Sequence, residues 1–166
     1  SQRVQQLGDG QERLAGGLHH VSEAQAVSQT AMLQVMEQRL AEVTRTLREN
    51  GIDIRALYIA DTTEYGILRM IVDQPEAALD ALNACGFTVS STNVIAIAVP
   101  DHPGTLDDAL ETLSAGNISV DYLYAFVGRS SADAIVVIRV ENPQLALEKL
   151  EQTGIRVLSS KEVYGT

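Results

Sequence analysis

The chain has 166 residues, of which 45% are hydrophobic and 4% aromatic, and its formal net charge at pH 7 is −10. This length suits one compact domain or two small ones. An acidic chain without a basic stripe is a poor candidate for binding nucleic acid or an anionic membrane surface, because contacts to phosphate supply most of the non-specific affinity. Its longest apolar runs fall far short of the roughly 20 residues that a membrane span needs.

The start of the sequence and its cysteine content favour a cytoplasmic protein. No basic stretch followed by an apolar run opens the sequence, so no secretory signal is predicted. Cys85 is the single cysteine and cannot form an internal disulfide, which agrees with a reducing compartment. Because it lies near the end of a predicted helix without basic neighbours, we expect a buried structural thiol.

The first predicted element is a long helix over residues 19–50. There is no proline between residues 11 and 50, and Ala, Gln, Glu and Met in this stretch favour helix. Apolar residues alternate there by three and four, the spacing of a coiled-coil seam: Leu33, Met36, Leu40, Val43 and Leu47. We therefore predict a helical, coiled-coil segment over residues 1–38 that continues into a helix near 39–50.

Residues 39–92 then read as one compact unit. After the helix, the pattern predicts strands near 52–60 and 66–72, a helix over 75–84 and a strand near 87–91. No strand is predicted in front of the first helix, unless the stretch AMLQVM bends into one. A sheet that lacks this inner strand would expose an edge to which another chain could pair.

Residues 93–166 contain the same elements preceded by a strand. The strand 94–99 runs into the turn Asp-His-Pro-Gly, and TLDDALETLSAG then has the apolar spacing of a helix of about three turns. Two β-rich stretches, ISVDYLYAFV and AIVVIRV, are joined as a hairpin. The next helix has Asn142 as a cap, Pro143 at its first position and Gly154 past its end, and IRVLS closes the unit as a strand.

The two halves are copies of one unit. A shift of 66 residues places Leu40 on Leu106 and lays GIDIRALYIA over NISVDYLYAF; after a two-residue insertion the shift becomes 68, and Pro75 falls on Pro143. The order strand, helix, strand, strand, helix, strand gives an antiparallel sheet with both helices on one face. The predicted fold class is therefore α+β, with two ferredoxin-like (βαββαβ) units side by side, preceded by the long helix.

The second unit has a strand, the motif Asp-x-Pro-Gly-x-Leu, a helix and then GNISVDYLYAF, in that order. This arrangement resembles the ACT domain, a small ligand-sensing module. The tandem of NGIDIRALYIADTTEYGILRMIV and AIAVPDHPGTLDDALETLSAGNISVDYLYAF resembles proteins made of two ACT domains, over about residues 39–166. The resemblance implies a pocket for a free amino acid at an interface between ACT units. It also implies the residues that line this pocket: Asp101, His102, Pro103, Gly104, Thr105, Leu106, Asn117, Ile118 and Ser119.

The chemistry of the turn fits that implication, although a plain turn is an alternative. The ammonium of an amino acid would suit Asp101, and its carboxylate would suit the backbone N–H groups near Gly104 and Asn117. Asp107 and Asp108 complement the helix dipole without any ligand and would repel a carboxylate. The first copy lacks the Pro-Gly turn, which leaves an equivalent site there in doubt.

Two functions from different classes remain open. In the first, the chain is a non-catalytic sensor that binds an amino acid and shifts the arrangement of its subunits. In the second, the N-terminal helix drives self-association, and the ACT units are a passive folded block, as in a chimera with a grafted coiled coil. A homo-oligomer through the helix or a sheet edge fits both. No catalytic set, cofactor motif or metal-ligand spacing is present in the sequence, so no enzyme, cofactor or metal is expected.

Overall fold

The computed structural model of the chain describes residues 21–28, 33–61, 66–127 and 132–165. The first half comprises β1 (Val21–Ser28), α1 (Leu33–Glu49), β2 (Ile54–Asp61), β3 (Gly66–Val72) and α2 (Pro75–Ala84). Strand β4 (Thr88–Pro100) joins the two halves. The second half comprises α3 (Thr105–Ala115), β5 (Val120–Val127), β6 (Asp133–Val140), α4 (Pro143–Gln152), β7 (Arg156–Val157) and α5 (Ser160–Tyr164).

Strand β4 belongs to both repeats. The sheet is antiparallel in the order β2-β3-β1-β4-β6-β5, and β7 also pairs with β4. The first part of β4, Thr88–Val94, pairs with β1, whereas the part from Ile95 to Pro100 pairs with β6. The strands predicted near 87–91 and 94–99 are therefore one strand of 13 residues, and the boundary predicted between residues 92 and 93 falls inside it.

The sheet curls so that the helix-free faces of the two units pack against each other. Along β4, Ile95 and Ile97 point to the core under α3 and α4, while Ala96 and Ala98 point to a central core. That central core also takes Ile71 from the first unit. A third core lies between the first unit's sheet and helices α1 and α2. The two units are thus joined side by side in one continuous sheet, as predicted, and the curl of that sheet gives four layers, helix, sheet, sheet, helix.

The structure corrects the prediction of a helix over residues 19–50. Residues 21–28 form β1, which pairs with β3 on one side and β4 on the other, and the helix begins only at Leu33. The first unit therefore has its inner strand, and the described part of AMLQVM, residues 33–36, belongs to the helix. Local preference for helix is weak enough to be overridden, since two neighbouring strands satisfy the backbone of β1 and bury Ala24. The rest of the predicted segment 1–38 includes 1–20 and 29–32, which lie outside the described residues.

The seam predicted for a coiled coil has a different partner. Val43 and Leu47 are 2% and 0% exposed, and with Leu40 they pack against the first unit's own sheet and α2. An apolar stripe at helical spacing serves a sheet as well as another helix. The seam therefore faces the core of its own unit at Leu40, Val43 and Leu47, while the side chains of Leu33 and Met36 lie outside the described part.

The structure also bears on the predictions made for Cys85 and for membrane-spanning segments. Cys85 is exposed, at the end of α2, which corrects the prediction of a buried thiol; Thr46 Oγ1 lies 3.7 Å from its sulfur. Within the described ranges, no helix combines the length and the apolar character that crossing a membrane requires.

The C-terminal helix α5 ties the second unit to the first. The Tyr164 hydroxyl accepts a hydrogen bond from the Ser22 backbone N–H at 2.8 Å, and Val163 is buried in the central core. At the start of α5, Ser159 and Glu162 form a capping box in which each side chain accepts from the other's backbone N–H. Hydrogen bonds from the Ser159 backbone and side chain, and then from Arg156, lower the pKa of Glu162 from 4.5 to about 2.

We expect Ser159→Ala to lower the free energy of unfolding by ~1 kcal/mol at pH 7, because one orphan N–H of α5 loses its acceptor. Since the folded-state pKa of Glu162 is depressed, its contribution is present above pH 4.5 and is lost as the pH falls through about 2. The deficit of the variant should therefore shrink on acidification. Urea unfolding at several pH values measures it, with Ser160→Ala as the control. An equal loss in the control, or a deficit independent of pH, contradicts the role of the box.

Candidate functional site

The predicted ligand-binding turn between β4 and α3 is a surface loop that is stabilised by its own hydrogen bonds. The Thr105 hydroxyl lies 2.7 Å from the Pro100 carbonyl oxygen and 3.0 Å from that of His102. The His102 backbone N–H donates to the same Pro100 oxygen at 2.9 Å. Gly104 has a φ of +99°, in the left-handed region that favours glycine. The chain can therefore leave the strand and enter the helix within four residues.

The start of α3 is open to a ligand. Among the described residues, no side chain caps this helix, because the capping position is Gly104. Asp101, His102, Pro103, Gly104 and Leu106 are exposed, and Thr105 is partly exposed. Asp107 and Asp108 in the first turn already offset part of the positive end of the dipole. The free backbone N–H groups at this end can still donate hydrogen bonds to an anion.

The remaining predicted residues lie at the opposite end of α3. Asn117 has a φ of +53° and donates its backbone N–H to Ser114, and Ile118 donates to Leu113. Ile118 is 7% exposed and packs in the second unit's core, whereas Asn117 and Ser119 are exposed. Helix α3 has 11 residues, so its ends are about 16 Å apart. Within one unit the structure does not bring the two groups of residues together.

The repeat leads to a counterpart of this second group in the first unit. The 66-residue shift places Gly51, Ile52 and Asp53 on Asn117, Ile118 and Ser119. An open surface cavity of about 420 Å³ lies there, lined by Thr44, Arg48, Gly51, Ile52, Asp53 and Ile54. The Asp53 carboxylate pairs with Arg55 at 3.1 Å, and its backbone N–H donates to Asp73. Arg48 and Asp53 place a cation and an anion at the same cavity, which suits a zwitterionic ligand. The repeat could have indicated this position.

A buried acidic residue between the two units was not anticipated from the sequence. Glu23, on β1, is 0% exposed. Its carboxylate accepts hydrogen bonds from the hydroxyls of Tyr122 and Tyr124 on β5, the latter at 2.6 Å. The structure places both tyrosines in the central core between the two units. Glu23 itself carried no signal, since its partners are about 100 residues away in sequence.

Two arginines, Arg69 and Arg139, act on the Glu23 carboxyl group through their positive charge. The Arg69 guanidinium lies 4.0 Å from the centre of the Tyr122 ring, and its Nε is 3.7 Å from the Glu23 carboxylate. Arg139 donates to the Val140 carbonyl and pairs with Asp121. Burial raises the pKa of Glu23, although the tyrosine hydroxyls and both arginines oppose the rise. Burial, and then Glu23 itself, raise the pKa of Tyr122 to about 12, and the same causes raise that of Tyr124.

No metal centre accompanies these groups in the described parts of the chain, where three or more His, Cys, Asp or Glu side chains do not converge. The cluster of Glu23 with Tyr122 and Tyr124 has its hydrogen-bonding groups directed at one another. It therefore differs from the turn at Gly104, where Asp101 and His102 are exposed to solvent. The first is suited to holding the units together, and the second to meeting a ligand.

Comparison with known proteins identifies the architecture. The family model of the ACT domain pair matches residues 26–164. A solved structure of a protein from Bacteroides thetaiotaomicron is 32% identical, with a TM-score of 0.79, and the match covers 89% of this chain and 98% of that one. None of the curated proteins matches the sequence.

Two more distant structures share the fold. The ligand-free regulatory subunit of aspartate kinase from Thermus thermophilus is 17% identical with a TM-score of 0.56, and the match covers 83% of this chain and 95% of that one. The corresponding subunit from Thermus flavus is 16% identical with a TM-score of 0.54, covering 82% and 94%. At this identity the likeness concerns the fold.

Proposed function

From the premise that this chain belongs to the ACT domain pair family, we propose that it is a non-catalytic regulatory protein that senses a free amino acid. Regulatory subunits of aspartate kinase with the same fold support a regulatory role. The observation that carries the proposal is the turn at Gly104. It leaves the N-terminus of α3 without a side-chain cap, and the exposed Asp101 lies in the same turn, three residues before Gly104.

The turn offers complementary groups for both charges of an amino acid. The backbone N–H groups at the start of α3 suit a carboxylate, and the Asp101 carboxylate suits an ammonium. His102, Pro103, Thr105 and Leu106 would shape the remaining wall. A ligand without one of the two charges would lose one of the two contacts, which favours amino acids over simple carboxylic acids.

The distance along α3 indicates that two ACT units build the site. Asn117, Ile118 and Ser119 lie about 16 Å from the turn of their own unit, farther than one amino acid reaches. We propose that the turn of one chain meets such a strand start, Asn117–Ser119 or Gly51–Asp53, of a second copy. Binding would then stabilise one arrangement of a homo-oligomer by its differential affinity for that arrangement.

A thermal-shift screen of the full chain against the free amino acids tests the proposal. At 100 times its Kd, a ligand of the folded state adds about 2.7 kcal/mol, which raises the Tm of a protein of this size by roughly 5–10 °C. We expect one amino acid, or one class, to give a saturable shift. Asp101→Ala should abolish this shift, and Asp80→Ala, an equal charge change on exposed Asp80 of α2, should keep it.

The outcomes separate ligand binding from a structural turn. No shift with any amino acid, in a sample with a cooperative transition, would make Asp101–Gly104 a plain turn. A shift that survives Asp101→Ala would place the ligand elsewhere, and the cavity at Arg48 would be examined next. Light scattering with and without the ligand checks whether the oligomeric state changes on binding.

A further inference from the structure

We propose that the buried cluster of Glu23, Tyr122, Tyr124 and Arg69 is the element that couples the two ACT units. In this proposal, a displacement of β5 in the second unit is transmitted through two tyrosine hydroxyls to the central strands of the first unit. Its use in regulation rests on the proposed function. The coupling itself is a property of the chain and can be measured without any ligand.

The hydrogen bonds of the cluster cross the boundary between the units. Glu23 lies on β1, which is a central strand of the first unit between β3 and β4. Both donors to its carboxylate, Tyr122 and Tyr124, come from β5 of the second unit. One fully buried acid thus receives a hydrogen bond on each carboxylate oxygen from a single strand. A movement of that strand alters both bonds together.

Strand β5 is placed to report on the proposed ligand site. It begins at Val120, directly after Asn117–Ser119, and Tyr122 follows Ser119 by three residues. It is also an outer strand of the sheet, where it pairs with β6. A ligand that pulls on the start of β5 would move the two tyrosines with little resistance from further strands.

The first unit contacts the same two tyrosines from three strands. Arg69 on β3 stacks on the Tyr122 ring and approaches Glu23. Tyr58 on β2 stacks on Tyr124, with ring centroids 5.6 Å apart and planes within 5°. With Glu23 on β1, the strands β1, β2 and β3 therefore all meet Tyr122 or Tyr124. These contacts give the coupling a continuous physical path.

The chemistry of the cluster favours a switch between two states over a gradual response. A buried carboxylate that loses its donors retains the full penalty of burial, so partial separation is costly. The cluster is then either assembled between the sheets or opened to water. Interfaces of this kind have two discrete arrangements, which is what a regulatory device requires.

Amide hydrogen exchange of the full chain tests the coupling. Tyr122→Phe and Tyr124→Phe each remove one hydroxyl from the second unit. We expect exchange to accelerate by about tenfold or more in β1 and β3 and in α1 behind them, because a buried carboxyl group loses one of its hydrogen-bond donors. Tyr58→Phe is the matched control: it removes a hydroxyl in the same interface, and Tyr58 is not a donor to Glu23 in the structure. It should leave these rates within about twofold.

The Glu23→Gln background separates coupling from simple loss of packing. If the hydroxyls act through the carboxylate, Tyr124→Phe should change exchange in the first unit much less in that background than in the wild-type chain. Accelerated exchange confined to β5 and β6, or equal effects in both backgrounds, would overturn the proposal. The exchange experiment contains no ligand, so its result can be interpreted even if the thermal-shift screen finds no amino acid that binds.

Discussion

Glu23→Ala is expected to lower the free energy of unfolding by about 3–5 kcal/mol, among the largest effects of any single substitution in this chain. The change removes the acceptor of two tyrosine hydroxyls and leaves Arg69 beside an empty space, 13% exposed and without its carboxylate partner. Urea unfolding of the full chain at pH 7, followed by circular dichroism, measures it. A loss below about 1 kcal/mol would mean that the cluster opens to water in solution.

Glu23→Gln is the matched control because it keeps the size of the side chain and removes the charge. Its pH dependence relative to wild type also tests the ionisation of Glu23. Burial raises the pKa of Glu23 above 4.5, so the wild-type chain binds this proton more readily folded than unfolded. Its contribution is fully present below pH 4.5 and is lost as the pH rises through the folded-state value. Wild type should therefore gain stability relative to Glu23→Gln on acidification; the opposite slope would mean that Arg69 and Arg139 outweigh burial.

Much of the fold could be predicted because the repeat and the helix caps are local signals. The helices that begin at Pro75 and Pro143 start where proline predicts them. The Asn142 side chain accepts from the Leu145 N–H as a helix cap, as its position before Pro143 predicts. Such features depend on a few neighbouring residues. The hairpins were predicted from the strand patterns, and the two βαββαβ units from the repeat. The family match to residues 26–164 confirms the tandem.

The first strand could not be predicted because α1 is longer than its counterpart. A 66-residue shift of α3 would start the first helix at Arg39, but α1 begins at Leu33. The extension displaces the preceding strand, so the repeat fails where the strand was sought. The strand itself, VSEAQAVS, has the alanine, glutamine and glutamate of a helix. Only pairing with β3 and β4 decides its conformation.

The role of the predicted ligand residues stays a prediction, and the structure adds the distance between their two groups. Asp101–Leu106 and Asn117–Ser119 were grouped by resemblance, and the structure separates them by the length of α3. The distance between the two groups can be estimated from the sequence only when the length of the helix between them, α3, is taken into account. Once it is, an interface between two units becomes the natural place for both groups. The grouping itself stays a prediction for the thermal-shift screen.

Leu47→Ala is expected to lower the free energy of unfolding by about 2–5 kcal/mol and to leave the oligomeric state unchanged. Leu47 is 0% exposed and packs with Val43 against the first unit's sheet, so truncation opens a cavity in that core. A coiled-coil seam would behave differently, because the same change would weaken self-association. Urea unfolding and light scattering of the full chain measure the two quantities.

The repeat supplies a control for this prediction. Leu113, the counterpart of Leu47 after the 66-residue shift, is 1% exposed in the second unit's core, and Leu113→Ala should cost a similar amount. Arg45→Ala, at an exposed position of α1, should change stability by less than about 0.5 kcal/mol. Dissociation of an oligomer by Leu47→Ala but not by Leu113→Ala would return the seam of α1 to an intermolecular role. Equal losses with no change in mass would establish that Leu47 stabilises its own unit and is not part of an intermolecular seam.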